Sequence, residues 1–279
     1  MALYAFDGTW NEDEADEAKE TNVRKFCLCL PENMNVFYQE GVGTRLGSIG
    51  KVLGAVTGAG GRFRINKAME KLDEYFSKGD RTIDIIGFSR GAAIALHFAN
   101  QVQEDKAGAE VRFLGLWDTV ASFGLPGNDL NIGWDLALPD NVKHCYHAMV
   151  LDERRGNFPL TRVEPRKGGT LGDRLHEVWF RGVHSDVGGG KCAGLGHLAL
   201  CWMLRRAKEV GLPVDEAKLQ AHEALCDADA PISKNFDPKK DPQRTIHPGD
   251  LVHESVKPRG RSGGKEHNDP PPGVRIARG

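Results

Sequence analysis

The stretch TIDIIGFSRGAAIALHFA, residues 82–99, contains the pattern that decides the fold. Its first residues, 82–86, form a β-branched run that is typical of a buried strand. The alanine-rich residues 90–103 favour a helix. A second strand-like run, VRFLGLW, follows at 111–117. Strand, helix and strand in this order predict a parallel sheet that is covered by helices.

The same kinds of element continue on both sides of this unit. Short apolar, β-prone runs predict further strands, and apolar residues at helical spacing predict further helices. The additional predicted strands are 2–6, 35–38 and 178–180, and the additional predicted helices are 62–76 and 195–210. The fold class that we expect is α/β, with a mostly parallel central sheet and helices on both faces.

The turn between the central strand and its helix, Gly87–Gly91, fits the pattern G-x-S-x-G. Small residues two positions before and after a serine permit a tight strand-to-helix bend, which raises the Ser89 hydroxyl above the carboxyl edge of the sheet. The next amide, that of Arg90, lies near the positive end of the helix, where it can stabilise an oxyanion. Ser89 is therefore the candidate nucleophile. The alternative interpretation is a glycine-bounded helix start that Ser89 caps.

A serine nucleophile needs a base and an orienting acid, which follow it in the chain order Ser, Asp or Glu, His in α/β hydrolases. Asp118 closes the strand after the nucleophile strand and is the candidate acid, or else a turn aspartate that caps its own backbone. His184 follows a strand in a glycine-flanked loop and is the candidate base. His253, on a late strand-like run, is the competing base.

The turn after the first strand offers supporting groups. Gly8 or Thr9 is a candidate for the second oxyanion donor, because such enzymes take this backbone N–H from a loop after another strand. Asp7 could hold the Ser89 loop through hydrogen bonds. The alternative is an Asx-type turn with no chemical role.

Two further hypotheses compete with the serine enzyme. Asp7, Asp118, His184 and Asp186 could gather at one rim as ligands of a divalent ion. The sequence has neither an HExxH nor a paired DxD pattern, so we expect no metal and no other cofactor. The other hypothesis is a non-catalytic, hydrolase-like binding module.

Composition sets the broad class of the protein. The formal net charge of −2 gives no general reason to bind nucleic acid. No apolar run approaches the 18 residues of a membrane-spanning helix. The N-terminus lacks a basic start and an apolar segment, so we expect no Sec signal and a cytoplasmic location in the producing cell. The six cysteines form no CxxC pair and are expected to be reduced.

Two segments are expected to lie outside the regular core. Residues 41–61 contain eight glycines and predict a loop. Residues 257–279 are rich in proline, glycine and basic residues and predict a flexible tail after a single domain at 1–256.

Seven blocks in order along the chain resemble a known family, the type VI secretion phospholipase effectors of class one, with their α/β-hydrolase domain. The blocks are FDGTWN (6–11), YQEGVGT (38–44), GFSRGA (87–92), FLGLWDTV (113–120), LDERR (151–155), VWFRGVHSDVGGG (178–190) and VHESV (252–256).

The resemblance implies a serine esterase that acts on phospholipids as an A-type phospholipase, through a Ser-His-Asp triad and an acyl-enzyme. It supports Ser89 as nucleophile and favours Asp118 and His184 as its partners. It also implies an antibacterial effector that type VI secretion delivers into a target cell and that contacts a membrane surface. A secretion carrier or an immunity protein is then a candidate partner.

Overall fold

The computed structural model describes residues 1–8, 20–41, 58–121, 134–191, 193–233, 242–262 and 265–279. The strands in chain order are β1 Ala2–Phe6, β2 Asn35–Gln39, β3 Ile83–Phe88, β4 Val111–Trp117, β5 Ala137–Leu138, β6 Val142–Val150, β7 Glu164–Pro165, β8 Leu175–Phe180, β9 Leu251–His253, β10 Arg261–Ser262, β11 Lys265–Glu266 and β12 Arg275–Ala277. The helices are α1 Asn22–Leu28, α2 Gly58–Ser77, α3 Arg90–Asp105, α4 His184–Val187, α5 Ala193–Glu209 and α6 Glu216–Glu223, and a 3₁₀ turn spans Gly172–Arg174.

Eight of these strands form one sheet, in the order β12-β9-β8-β6-β4-β3-β1-β2. Every neighbouring pair in that sheet is parallel. Parallel strands need crossover connections, and helices supply several of them here. The predicted parallel α/β sheet is confirmed, and its strands β1, β3 and β4 read as near-continuous apolar runs because both faces are covered.

Helices pack on both faces of the sheet, as the sequence predicts. Alternate residues of β1 point to opposite faces. Leu3 and Ala5 belong to a core that also contains residues of α1 and α5. Tyr4 and Phe6 belong to a second core, which contains residues of α2 and α3. The sheet is therefore buried between two helical layers.

The chain reverses its direction across the sheet at β1. It passes from β1 through α1 to the edge strand β2, and then returns through α2 to β3 on the other side of β1. In open α/β sheets, ligands bind outside the carboxyl ends of the strands at such a reversal. The residues that follow β1 and β3, Asp7–Gly8 and Ser89, lie at this point.

Strand β6 is the main element that the sequence pattern did not predict. Lys143, His144 and His147 interrupt its apolar run. In the structure β6 lies inside the sheet, between β4 and β8. The His147 ring is fully buried there and contacts the side chains of Thr119, at 3.1 Å, and Glu177, at 2.9 Å. These polar partners let a histidine occupy a position that apolar residues usually fill.

Two predicted segments need correction. The predicted glycine-rich loop at 41–61 ends earlier, because helix α2 begins at Gly58, and residues 42–57 lie outside the described residues. The predicted tail at 257–279 contributes β12, which pairs with β9 in the central sheet. Within the same segment, Asn268 donates hydrogen bonds to the carbonyls of Leu151 and Arg244. Residues 257–279 have little apolar content, which is why the sequence predicted a tail. Polar side-chain and backbone contacts attach this segment to the domain instead.

Candidate active site

Ser89 lies in a strained turn between β3 and α3. Its φ of 58° and ψ of −126° are rare for a residue with a side chain. A Cβ on Gly87 would lie 2.5 Å from the carbonyl oxygen of Gly91. A Cβ on Gly91 would overlap the Phe6 carbonyl oxygen and lie 2.6 Å from that of Asp7. Both glycines of the motif are therefore required for the close approach of backbone to backbone.

The Ser89 side chain makes no capping hydrogen bond to helix α3. Ser89 therefore occupies the N-cap position of α3 without capping the helix through its side chain. Its Oγ instead lies 2.8 Å from Nε2 of His184, a residue 95 positions further along the chain. Both side chains are almost fully buried.

Asp118 lies directly after β4, the neighbour of β3, and its backbone also adopts a positive φ of 40°. Its Oδ2 lies 2.6 Å from Nδ1 of His184. Its Oδ1 accepts a hydrogen bond from the Val150 amide at 3.1 Å. The structure thus brings Ser89, His184 and Asp118 together in one continuous chain of contacts, as expected from the sequence.

A fourth side chain, Arg244, which no sequence pattern indicated, holds the Asp118 carboxylate. Its two terminal nitrogens donate to Oδ1 at 2.5 Å and to Oδ2 at 3.1 Å. Burial of Asp118 acts to raise the pKa of this carboxyl, but Arg244 and then His184 outweigh burial and hold that pKa well below its usual range. No local pattern around Arg244 indicated this role, because it lies in a polar loop that precedes β9.

The segment after β6 positions the His184 side chain. The carboxylate of Glu153 accepts a hydrogen bond from the His184 amide at 3.1 Å. The His184 ring contacts the rings of Phe88 and Phe158, at centroid distances of 4.6 and 4.7 Å. Arg155 pairs with Glu153 and also lies over the Phe158 ring, 3.9 Å from its centroid. The LDERR block therefore supports the backbone and the ring of His184 together.

The glycine run after His184 is explained by close packing. A Cβ on Gly188 would overlap the ring of Phe88. Gly189 has a φ of 90°, and a Cβ there would lie 2.6 Å from the amide nitrogen of Asn22. Asn22 also donates to the carbonyls of Val187 and Gly196. These contacts tie the short helix α4 to the start of α1.

The competing base His253 lies on β9 and does not contact Ser89. Its Nδ1 lies 2.7 Å from the Ser255 hydroxyl, and its ring stacks on Phe180 at 4.6 Å. Burial lowers the pKa of His253 to about 4. Among the described residues, its Nε2 has no hydrogen-bond partner. The structure therefore brings His184, and not His253, to the candidate nucleophile.

The turn after β1 carries the candidate second oxyanion donor. The Gly8 amide donates to Oδ1 of Asp7 at 2.7 Å, so in this structure it is bonded to Asp7. Thr9 lies outside the described residues. Oδ2 of Asp7 accepts hydrogen bonds from the hydroxyls of Thr21 and Tyr38. Asp7 therefore ties the end of β1 to α1 and β2, and its burial raises the pKa of its carboxyl.

The proposed ligands of a divalent ion do not gather into one site. Asp118 and His184 bond to each other, while Asp186 accepts hydrogen bonds from the amide and hydroxyl of Ser233. Within the described ranges, no group of three or more His, Cys, Asp or Glu side chains is arranged to hold a metal ion. The geometry therefore does not favour the metal-dependent alternative.

A cleft of about 450 Å³ opens at the end of the strands opposite to Ser89, near the amino ends of β8 and β9. It is lined by Arg162, Glu177 and Asp250 among others, and by none of the candidate site residues.

No helix in the part of the chain that the structure describes is long and apolar enough to span a bilayer.

Comparisons with known proteins agree with this architecture. A family model described as the catalytic domain of Tle1-like phospholipase effectors of the type VI secretion system (T6SS) matches residues 3–104 and 97–206. No curated protein matches the chain. The chain is similar to the crystal structure of an uncharacterized protein from Pseudomonas aeruginosa, with a TM-score of 0.63 and 25% identity over 80% of this chain and 48% of that chain.

A second similar structure is that of the Tle1 effector bound to the VgrG spike of the type VI secretion system. Its TM-score is 0.47 and its identity is 24%, over 68% of this chain and 50% of that chain. The chain spans about half the length of both structures.

Proposed function

The chain belongs to the family of Tle1-like phospholipase effectors of the type VI secretion system, and from this premise we propose that it is a serine hydrolase that cleaves the carboxylic esters of phospholipids. Ser89 is the nucleophile, His184 the general base and Asp118 the orienting acid. One observation carries the proposal: the unbroken contact from Ser89 Oγ to His184 Nε2, at 2.8 Å, and from His184 Nδ1 to Asp118, at 2.6 Å.

The first half of the reaction forms an acyl-enzyme. Ser89 Oγ attacks the ester carbonyl carbon while His184 Nε2 takes the hydroxyl proton. The tetrahedral intermediate then collapses, and the same proton passes from His184 to the departing alcohol oxygen of the lysophospholipid. Asp118 holds the ring so that Nδ1 carries the other proton and Nε2 faces Ser89.

The second half releases the fatty acid. A water molecule attacks the acyl carbon and loses its proton to His184. The bond to Ser89 then breaks, and His184 returns the proton to Ser89 Oγ. Charge on the carbonyl oxygen develops in both halves, next to the start of helix α3. The Arg90 amide is the donor that this position supports, whereas the Gly8 amide would first have to leave Asp7.

Membership of the family supports the substrate class and the biological role that we propose. We expect an A-type phospholipase that acts on lipid at a membrane surface and serves as an antibacterial T6SS effector delivered into a target cell. A secretion carrier and an immunity protein are the expected protein partners.

The experiment that tests this function measures fatty acid release from phosphatidylethanolamine–phosphatidylglycerol vesicles, together with hydrolysis of the soluble ester p-nitrophenyl butanoate. The Ser89→Ala variant is expected to lose both activities by about 10⁴-fold or more. Ser77→Ala is the control, because Ser77 is exposed at the end of α2 and bonds only the Glu74 carbonyl among the described contacts. This variant is expected to remain active.

Other outcomes would point elsewhere. Hydrolysis that persists in Ser89→Ala and stops with a chelator would support the metal-dependent alternative. Vesicle binding without hydrolysis by the unmodified protein would support a non-catalytic binding module. Hydrolysis of the soluble ester alone would keep the serine chemistry and reject the phospholipid substrate.

A further inference from the structure

We propose that Arg244 is a positioning residue of this site, which keeps Asp118 ionised and fixes the carboxylate oxygen that faces His184. The inference rests on the proposed function, because the orientation of Asp118 affects the rate only if Asp118 acts on His184. It assigns a role to a residue that lies 126 positions after Asp118 and outside the blocks that resemble the family.

In the described part of the chain, four hydrogen-bond donors surround the Asp118 carboxylate. Oδ1 accepts from the Val150 amide and from one terminal nitrogen of Arg244. Oδ2 accepts from the other terminal nitrogen of Arg244 and from Nδ1 of His184. A carboxylate has about four lone-pair directions, so this set uses all of them. Because both oxygens are held, the carboxylate cannot turn away from His184 without breaking several bonds.

Arg244 itself is fixed by the elements around the site. Its terminal nitrogens also donate to the carbonyl of Val150, at 3.1 Å, and to that of Phe158, at 3.0 Å. The Arg244 carbonyl accepts a hydrogen bond from the Asn268 side chain at 2.9 Å. Since the Phe158 ring packs on His184, the same guanidinium is linked to the acid directly and to the ring of the base through Phe158.

The charges around the acid explain why a permanent cation is needed. Asp118 is fully buried, and the Arg244 side chain is only 9% exposed. An isolated carboxylate in such a place favours its protonated form, which cannot hold an imidazolium. Among the described residues, the charged or titratable groups in contact with Asp118 are Arg244 and His184, and Glu153 accepts from the amide of His184.

The test compares Arg244→Gln with a matched control, Arg112→Gln. Arg112 makes a similar two-pronged pair with a buried carboxylate, that of Asp84, at 2.9 and 2.6 Å. Asp84 lies near the amino end of β3, at the opposite edge of the sheet from Ser89. The readouts are kcat and KM for p-nitrophenyl butanoate, the pH profile of kcat/KM, and Tm.

Arg244→Gln is expected to lower kcat by roughly 10²-fold with little change in KM, because the acid is misplaced and substrate binding is not. Without the cation, a proton on the site is less disfavoured, because one positive charge next to Asp118 is gone. The acidic limb of the pH profile is therefore expected to move upward by about one pH unit. Arg112→Gln is expected to lower Tm and leave both kcat and the profile unchanged.

A second variant protects the test against misfolding. Arg244→Lys keeps the charge and loses the two-pronged geometry, so its pH profile is expected to stay near that of the unmodified protein while kcat falls. Unchanged kcat and pH profile in both Arg244 variants would overturn the inference, as would an equal loss in Arg112→Gln.

The outcome is separable from that of the proposed function. If the unmodified protein hydrolyses esters and Ser89→Ala does not, the serine chemistry stands whatever Arg244 does. If Ser89→Ala keeps full activity, the proposed function and this inference fail together. Normal kinetics in both Arg244 variants, with Ser89→Ala inactive, would reject the role of Arg244 alone.

Discussion

Gly91, the last glycine of the serine motif, packs directly against the carbonyl oxygen of Phe6 at the end of β1. No side chain fits between them, and the neighbouring Asp7 carbonyl oxygen would lie 2.6 Å from an added Cβ. This contact joins the start of helix α3 to the central strand at the point where the chain reverses across the sheet. It therefore sets the height of the turn that carries Ser89.

The first prediction follows from this contact. Gly91→Ala is expected to destabilise the fold by roughly 1–3 kcal/mol, because the added methyl group pushes the start of α3 away from the backbone of Phe6 and Asp7. Thermal unfolding measures the effect. Gly156→Ala is the control, since nothing lies within 4 Å of a Cβ at Gly156. Equal Tm values for Gly91→Ala and the unmodified protein would contradict the tight packing described here.

Glu153 provides the second prediction. Its carboxylate accepts the His184 amide and two amides of its own turn, those of Arg154 and Arg155. Glu153→Ala leaves these donors without their acceptor and frees the backbone of His184. We expect kcat for ester hydrolysis to fall by about 10- to 10²-fold, with KM nearly unchanged.

Glu164→Ala is the control for Glu153→Ala, because Glu164 is an exposed residue of the short strand β7. This variant is expected to keep the kcat of the unmodified protein. A Glu153→Ala variant with unaltered kcat would show that Asp118 and the Phe88 and Phe158 rings hold His184 without Glu153.

The sequence was sufficient to predict the convergence of Ser89, Asp118 and His184. Each follows a strand, and the carboxyl ends of parallel strands meet at one edge of the sheet. This geometry favours Ser89 and Asp118, at the ends of two strands, and His184, in a glycine-flanked loop, as residues of one site, although they are far apart in the chain. The assignment of their chemical roles remains a proposal.

Arg244 and strand β6 could not be predicted because their environments are created by tertiary contacts. Arg244 lies in an irregular polar loop, and only the folded chain shows that its partner is Asp118. His147 reads as a break in an apolar strand until its buried partners, Thr119 and Glu177, are known. In both cases the contact joins residues that are far apart in the sequence, so a local pattern of apolar and polar residues does not predict it.

His253 gives a prediction about stability and pH. Burial lowers the pKa of His253 to about 4 in the folded protein, whereas an unfolded histidine titrates near 6.5. The unfolded chain therefore binds more protons than the folded protein between these pH values. The contribution of His253 to the free energy of unfolding is fully present above about pH 6.5 and is lost as the pH drops toward 4. The free energy of unfolding is expected to fall by about 3 kcal/mol through His253 alone, because each pKa unit corresponds to roughly 1.4 kcal/mol.

Chemical denaturation at pH 7 and pH 5 tests the role of His253. His253→Gln cannot titrate, so the difference in unfolding free energy between the two pH values is expected to be smaller than in the unmodified protein. The variant is also expected to keep esterase activity, because His253 contacts Ser255 and Phe180 and not Ser89. An inactive but folded His253→Gln would contradict the assignment of His184 as the base.

Asp118→Asn separates the charge of the acid from its shape. Four donors surround the Asp118 side chain, and an amide has only one oxygen, so its NH₂ group must face donors from Arg244 or His184 in either orientation. With the NH₂ group toward His184, the ring is no longer held with its proton on Nδ1. With the NH₂ group toward Val150, the uncharged side chain no longer stabilises the imidazolium. We expect kcat to fall by about 10⁴-fold, and covalent labelling of Ser89 by a fluorophosphonate to slow in parallel.

Asp84→Asn is the matched control for Asp118→Asn, since Asp84 is an equally buried carboxylate held by a two-pronged arginine, Arg112. It is expected to lower Tm without slowing the labelling of Ser89. If Asp118→Asn is labelled at the rate of the unmodified protein, Asp118 serves only to neutralise Arg244, and the base must act without it. If both variants lose labelling together, loss of stability explains the result and the role assigned to Asp118 fails.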